Sequence, residues 1–226
     1  AGAENRRGKV ADRMTTRKLV PIPVRPTQKQ RDSYVTNIRY AWTSASEDQR
    51  QRGRNWYTSA HELADMMSGG DPVIGAGVIA ALSANKSWEQ NVLLAADALN
   101  GTVHKHVKNA LAKVTMILAG HDPATVLNLS LKTGMFYRCI ADPSDPDAVV
   151  IDRHAHDVAF GKVLGNNINR GLSSATRYAV LANAYREAAY QEKELPMNIQ
   201  SSCWLYWRET HSTYRAANVR RLKGAS

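Results

Sequence analysis

Asp71-Pro-Val-Ile-Gly-Ala-Gly-Val-Ile-Ala-Ala-Leu-Ser83 is the stretch on which the fold turns. From Val73 to Leu82 every residue is small or apolar and no face is polar. That pattern fits a helix buried on all sides better than a strand, because Ala and Gly are poor strand formers. Upstream, Gly69-Gly70-Asp71-Pro72 stops a preceding helix by supplying positive φ and breaking the hydrogen-bond ladder. Downstream, Ser83-Ala84-Asn85-Lys86-Ser87 interrupts the run. Ser87 then caps a helix that starts at Trp88, carries Glu89 and Gln90 in its first turn, and continues to Asn100-Gly101.

The pattern stays helical in both directions. Tyr34, Ile38 and Trp42 share one face of a first helix that begins near Ser33. A second helix over residues 54–67 carries Trp56, Ala60, Leu63, Ala64 and Met67 on its stripe. Helices are also predicted over 107–118 and 131–140, with a short one between them opened by Asp122-Pro123. Residues 141–147 form a turn-rich loop before the β-branched Val149-Val150-Ile151. Three more helices follow over 153–163, 174–191 and 197–214, the last opened by Pro196. The expected fold is therefore all-α, and no internal repeat of fixed period occurs.

Residues 1–31 hold Pro21, Pro23 and Pro26 among Arg and Lys without a helical apolar pattern, so they are expected to be a basic flexible arm on a helical domain spanning 32–226. The net charge of +10 is uneven: residues 1–54 hold 13 Lys/Arg against 5 Asp/Glu, and residues 203–226 hold 5 against 1. Clusters at both ends point to phosphate contacts, with ordinary solubilising charge as the alternative. Arg6, Arg7, Lys9, Arg17, Lys18, Arg25, Arg153, Arg220 and Arg221 are the candidate nucleic-acid contacts. No stretch approaches the roughly 20 apolar residues of a membrane span. The start is polar and basic, without the apolar core of a secretory signal, so a cytoplasmic setting is expected. Cys139 and Cys203 sit in apolar helical contexts and are expected as buried thiols, too few for a four-thiolate cluster. No cofactor is implied.

Three segments in order carry a resemblance: residues 77–91, then Leu131-Lys132-Thr133, then Val149-Val150-Ile151-Asp152-Arg153-His154. Together they resemble the helix-hairpin-helix DNA glycosylase superfamily, over about residues 76–161. They also look like actinobacterial and phage proteins with similar segments, which implies a bacterial or phage-infected cell. The resemblance implies two helical lobes around a cleft, with Leu82 to Asn85 as the turn facing the base pocket. It places Asp152 at the catalytic carboxylate and Lys132 at the lyase lysine. One departure is clear: the family hairpin is rich in glycine, and Val126-Leu-Asn-Leu-Ser-Leu131 has none.

The residue types suit the chemistry. Breaking an N-glycosidic bond builds positive charge on the sugar, which a carboxylate stabilises or answers by activating water. An amine can instead attack the sugar carbon. The plainer alternatives are a helix N-cap for Asp152 and a solvated lysine for Lys132. Trp88 can stack on an extruded base or staple its helix, while Asn85 and Asn91 can read a base edge. His154 can orient Asp152 or contact phosphate, with a packing histidine as the alternative. The pairs His104/His106 and His154/His156 stand two apart, so on a helix the members of each face different ways and no metal site is expected. Trp204 and Trp207 are expected in the core. The expected function is base processing on DNA, or RNA in its place, with base modification within DNA or non-catalytic binding as alternatives.

Overall fold

The computed structural model describes residues 18–19, 22–102, 106–164 and 168–223, with side chains between 22 and 211. The elements run β1 (Lys18–Leu19), α1 (Gln28–Ser44), α2 (Glu47–Ser68), α3 (Pro72–Leu82), α4 (Trp88–Leu99) and α5 (Lys108–Leu118). They continue with α6 (Pro123–Val126), α7 (Lys132–Ala141), α8 (Arg153–Phe160), β2 (Ile168–Asn169), α9 (Ala175–Glu192) and α10 (Pro196–Lys223). The described residues are all-α apart from β1 and β2, which pair in parallel with Lys18 opposite Ile168. No helix among the described residues is long and apolar enough to cross a membrane.

The central helix is where the sequence puts it. Asp71 caps α3 by accepting from Ile74 N–H, Pro72 occupies the first turn, and all eight residues from Gly75 to Leu82 are buried. Helices α2, α4, α5, α6 and α7 pack around it. A second set, α1, α8, α9 and α10, packs mutually, and α10 lies along α2 to join the two. Ser201 Oγ donates to Gly53 O across that seam (2.7 Å).

Helix starts differ from the expectation where reciprocal caps act before the apolar pattern begins. Thr27 and Gln30 form a capping box that starts α1 at Gln28, and Ser46 and Gln49 form another that starts α2 at Glu47. Residues 22–31 are therefore not part of a flexible arm. Ile22 is fully buried, its carbonyl accepts from Arg177 Nε (2.9 Å), and residues 28–31 are helical. At the other end of the chain α10 runs on to Lys223, beyond the expected stop. Helix α8 is shorter than expected because Gly161 takes the left-handed conformation (φ 63°) and ends it at Phe160.

Gly75 sets how closely α3 approaches α2, since a Cβ there would land on the Ala64 carbonyl. A backbone atom cannot swing aside as a side chain can. Gly75→Ala is expected to cost about 1–3 kcal/mol, read as a lower urea midpoint at unchanged slope.

Candidate functional site

Residues 148–151 are buried, yet belong to no helix or strand. Side chains pair part of their polar backbone: Tyr178 OH, from α9, accepts from Ile151 N–H (2.8 Å) and donates to Val149 O (3.0 Å), and Ala148 N–H donates to Asp145 Oδ1 (3.0 Å). The segment thus delivers Asp152 to the start of α8. There Oδ1 accepts from His154 N–H (2.9 Å) and Ala155 N–H (2.8 Å), so the carboxylate is an N-cap. Its Oδ2 accepts no hydrogen bond among the described residues, and the side chain is half-buried. The cap therefore occupies one oxygen and leaves the other available.

Buried phenols hold the backbone on either side of this carboxylate, Tyr178 at Val149 and Ile151 and Tyr185, whose OH donates to Ala155 O (3.0 Å), in the first turn of α8. Burial pushes Tyr178 and Tyr185 well above their ordinary values.

On the open side stands His154. Burial holds its imidazole below the ordinary value, Asp152 opposes this, and Arg153 and Arg208 reinforce it. A neutral ring at pH 7 offers one donor and one acceptor. It meets Trp204 edge-on (centroids 6.4 Å apart), and the Arg208 guanidinium lies over Trp204 (4.3 Å from the ring centroid). The companion histidine is separate: His156 is fully buried, stacks on Phe160, and contacts Asp157. Burial alone would raise the Asp157 carboxyl, but hydrogen bonds from His156, Arg170 and Leu164 N–H hold it below its ordinary value. Arg170 grips both its oxygens (2.7 and 2.9 Å), so this is a structural clamp.

A cleft of about 500 Å³ lies between α2 and the start of α4, lined by Arg52, Asn55, Trp56, Ser59, Ala60, Leu63 and Trp88. Trp88 does border a pocket, and it packs against Trp56 (5.0 Å) and Phe136 (6.4 Å). Asn91 has another task. It is buried and donates from Nδ2 to Ile79 O (3.1 Å), tying α4 to α3. Asn85 is exposed with φ 58° in the loop before α4.

Lys132 is exposed in the first turn of α7, which packs on α3 and α2, whereas α8 packs on α1, α9 and α10. No hydrogen bond or ion pair joins Lys132 to Asp152 among the described residues. Arg25 and Arg153 are exposed, and Arg153 Nε lies 3.2 Å from His154 Nε2. The side chains of Lys18, Arg220 and Arg221, and all of Arg6, Arg7, Lys9, Arg17 and His104, lie outside the described residues. Both cysteines are buried free thiols pushed up by burial.

The family model matches residues 22–211, from buried Ile22 to the end of the described side chains. The chain belongs to the family of unknown function designated DUF7178. No curated protein and no solved structure matches it. The span of the DUF7178 match includes the whole Asp152 environment and excludes residues 1–21.

Sequence reasoning passed over Tyr178 and Tyr185 and expected Trp204 and Trp207 in the core; both are half-buried, Trp207 packs against the core, and Trp204 lies under the Arg208 guanidinium. Trp204 and Arg208 are four apart on one helix, a spacing that could have marked them as a surface pair. Tyr178 carried no such signal. Removing its hydroxyl leaves Ile151 N–H and Val149 O unpaired in the core. Tyr178→Phe is expected to destabilise the fold by about 1–3 kcal/mol, with faster amide exchange at Ile151 as the site-specific readout.

Proposed function

We propose that this chain is a DNA base-processing enzyme of the helix-hairpin-helix glycosylase type, acting on a base turned out of the duplex, with Asp152 as the sugar-facing carboxylate. The observation that carries this reading is the geometry of Asp152. One oxygen is fixed by two helix N–H groups, the other accepts no hydrogen bond among the described residues, and His154, which follows, meets Trp204 with Arg208 over it. Preorganisation of that kind is what electrostatic catalysis needs, since the charge is in place before the reaction begins.

The order of elements supports it. The short α6, a five-residue turn and α7 occupy the place of the hairpin, and Asp152 follows Lys132 by twenty positions. A glycine does serve the turn, but inside α7: at Gly134 a Cβ would strike the Asn128 carbonyl. In this reading the two helix sets act as lobes. The C1′–N bond breaks with its electron pair leaving on the base. Water adds to C1′ and passes its proton toward Asp152, which also offsets the cationic charge of the sugar.

The glycine-free turn at Leu127–Leu131 favours a second reading, modification of a base in place without release. Glycines there would admit the backbone to a phosphate, and their absence leaves that grip to other residues.

Asn caps a helix as well as Asp does, so Asp152→Asn separates the two roles. The variant is expected to keep the fold and to lose base release by at least about a hundredfold, scored as abasic sites in duplexes carrying damaged or modified bases. Undiminished release would sink the assignment, and strand cleavage lost only in Lys132→Ala would add a lyase step.

The charged ends supply the rest of the affinity in this reading. Deleting residues 1–17, with Arg6, Arg7, Lys9, Arg13 and Arg17, leaves Ile22 and the α1 cap in place. The slope of log affinity against log salt is expected to become shallower by about 0.9 for each phosphate contact removed. An unchanged slope would assign the contacts elsewhere.

A further inference from the structure

We infer that the cleft between α2 and the start of α4 is a nucleobase-recognition site, with Trp56 and Trp88 as its aromatic walls and Asn55 and Ser59 reading the polar edge of the ring. The inference rests on the base-processing reading and goes further by naming the substrate-reading residues.

The cleft has the composition of a site for a flat, neutral ring. Its size, about 500 Å³, falls within the range of small-molecule sites. Trp56 and Trp88 are half-buried, with centroids 5.0 Å apart and planes tilted by 53°, and Ala60 and Leu63 complete the apolar surface. Base–aromatic stacking accepts any base, so selection needs polar groups at the edge. Asn55 and Ser59 provide them from one turn of α2, and both are exposed. Asn55 Oδ1 accepts from Gln51 Nε2 (3.3 Å), and its amide N–H groups make no hydrogen bond among the described residues. Ser59 Oγ has no hydrogen-bond partner among the described residues.

Charge argues against a phosphate here. The one cation in the lining, Arg52, is held by Asp48 (2.8 Å) and Glu209 (2.9 Å). Two carboxylates on one guanidinium leave no net positive field for an anion.

The test compares a mixed-sequence single-stranded oligonucleotide with one of equal length made wholly of abasic sites, by fluorescence anisotropy with the full chain. Backbone charge is the same in both, so the ratio of affinities isolates the base. The unaltered chain is expected to prefer the base-bearing strand about tenfold or more. The double variant Asn55→Ala/Ser59→Ala, confirmed folded by circular dichroism, is expected to lower that ratio severalfold, and Trp88→Ala to lower it further. A ratio near one in the unaltered chain, no binding of either strand, or a ratio indifferent to Asn55, Ser59 and Trp88 would overturn the inference. Base release lost in Asp152→Asn beside an indifferent ratio would remove this site alone and leave the glycosylase reading standing. A base-dependent ratio that follows Asn55 and Ser59, without base release from any substrate, would do the reverse.

Discussion

A helix with no polar face has to be covered on every side, and α3 is that helix. Burying Val78, Ile79 and Leu82 contributes about 1.5–3 kcal/mol for each side chain, gained only when α2, α4, α5, α6 and α7 close around them. The close approach of α2 at Gly75 and the bond from Asn91 to Ile79 O fix two of those neighbours in place. Their positions bring Trp88, at the start of α4, against Trp56 on α2. The aromatic-walled cleft is thus a by-product of covering α3.

The second set of helices depends on a different device. Buried backbone outside helix and sheet has to find its partners among side chains, and residues 148–151 do so. Tyr178 pairs Ile151 N–H and Val149 O with one hydroxyl, Asp145 takes Ala148 N–H, and Tyr185 holds the next turn. Asp152 is a structural residue here and, in the proposed reaction, also a chemical one. Its cap starts α8, and His154, which follows it, meets Trp204 edge-on. Fold and proposed chemistry therefore share one carboxylate, which is why an amide in its place is more informative than alanine.

Much of the architecture was legible locally. Asp71-Pro72, Ser87 and Asp122-Pro123 mark helix starts because capping is settled within three or four residues of chain. Two starts were placed late for an equally local reason. Thr27 with Gln30, and Ser46 with Gln49, are capping boxes written in the sequence, but apolar periodicity registers only the buried face that begins further on. Ile22 shows the limit from the other direction. An isolated apolar residue between prolines has no period, so its burial depends on Arg177 reaching its carbonyl from α9.

The sequence by itself determined an all-helical chain with a central buried helix, a carboxylate at the head of α8, and basic ends, because each of these is a matter of composition or short-range spacing. Only the tertiary structure decided that Asn91 faces inward to Ile79 while Trp88 borders a cleft, and that Lys132 and Asp152 sit on separately packed helices. It also decided that Tyr178 and Tyr185 reach from α9 to the backbone on either side of Asp152. Those outcomes depend on which face each helix turns to its neighbours, and that choice is made by packing between residues distant in the chain.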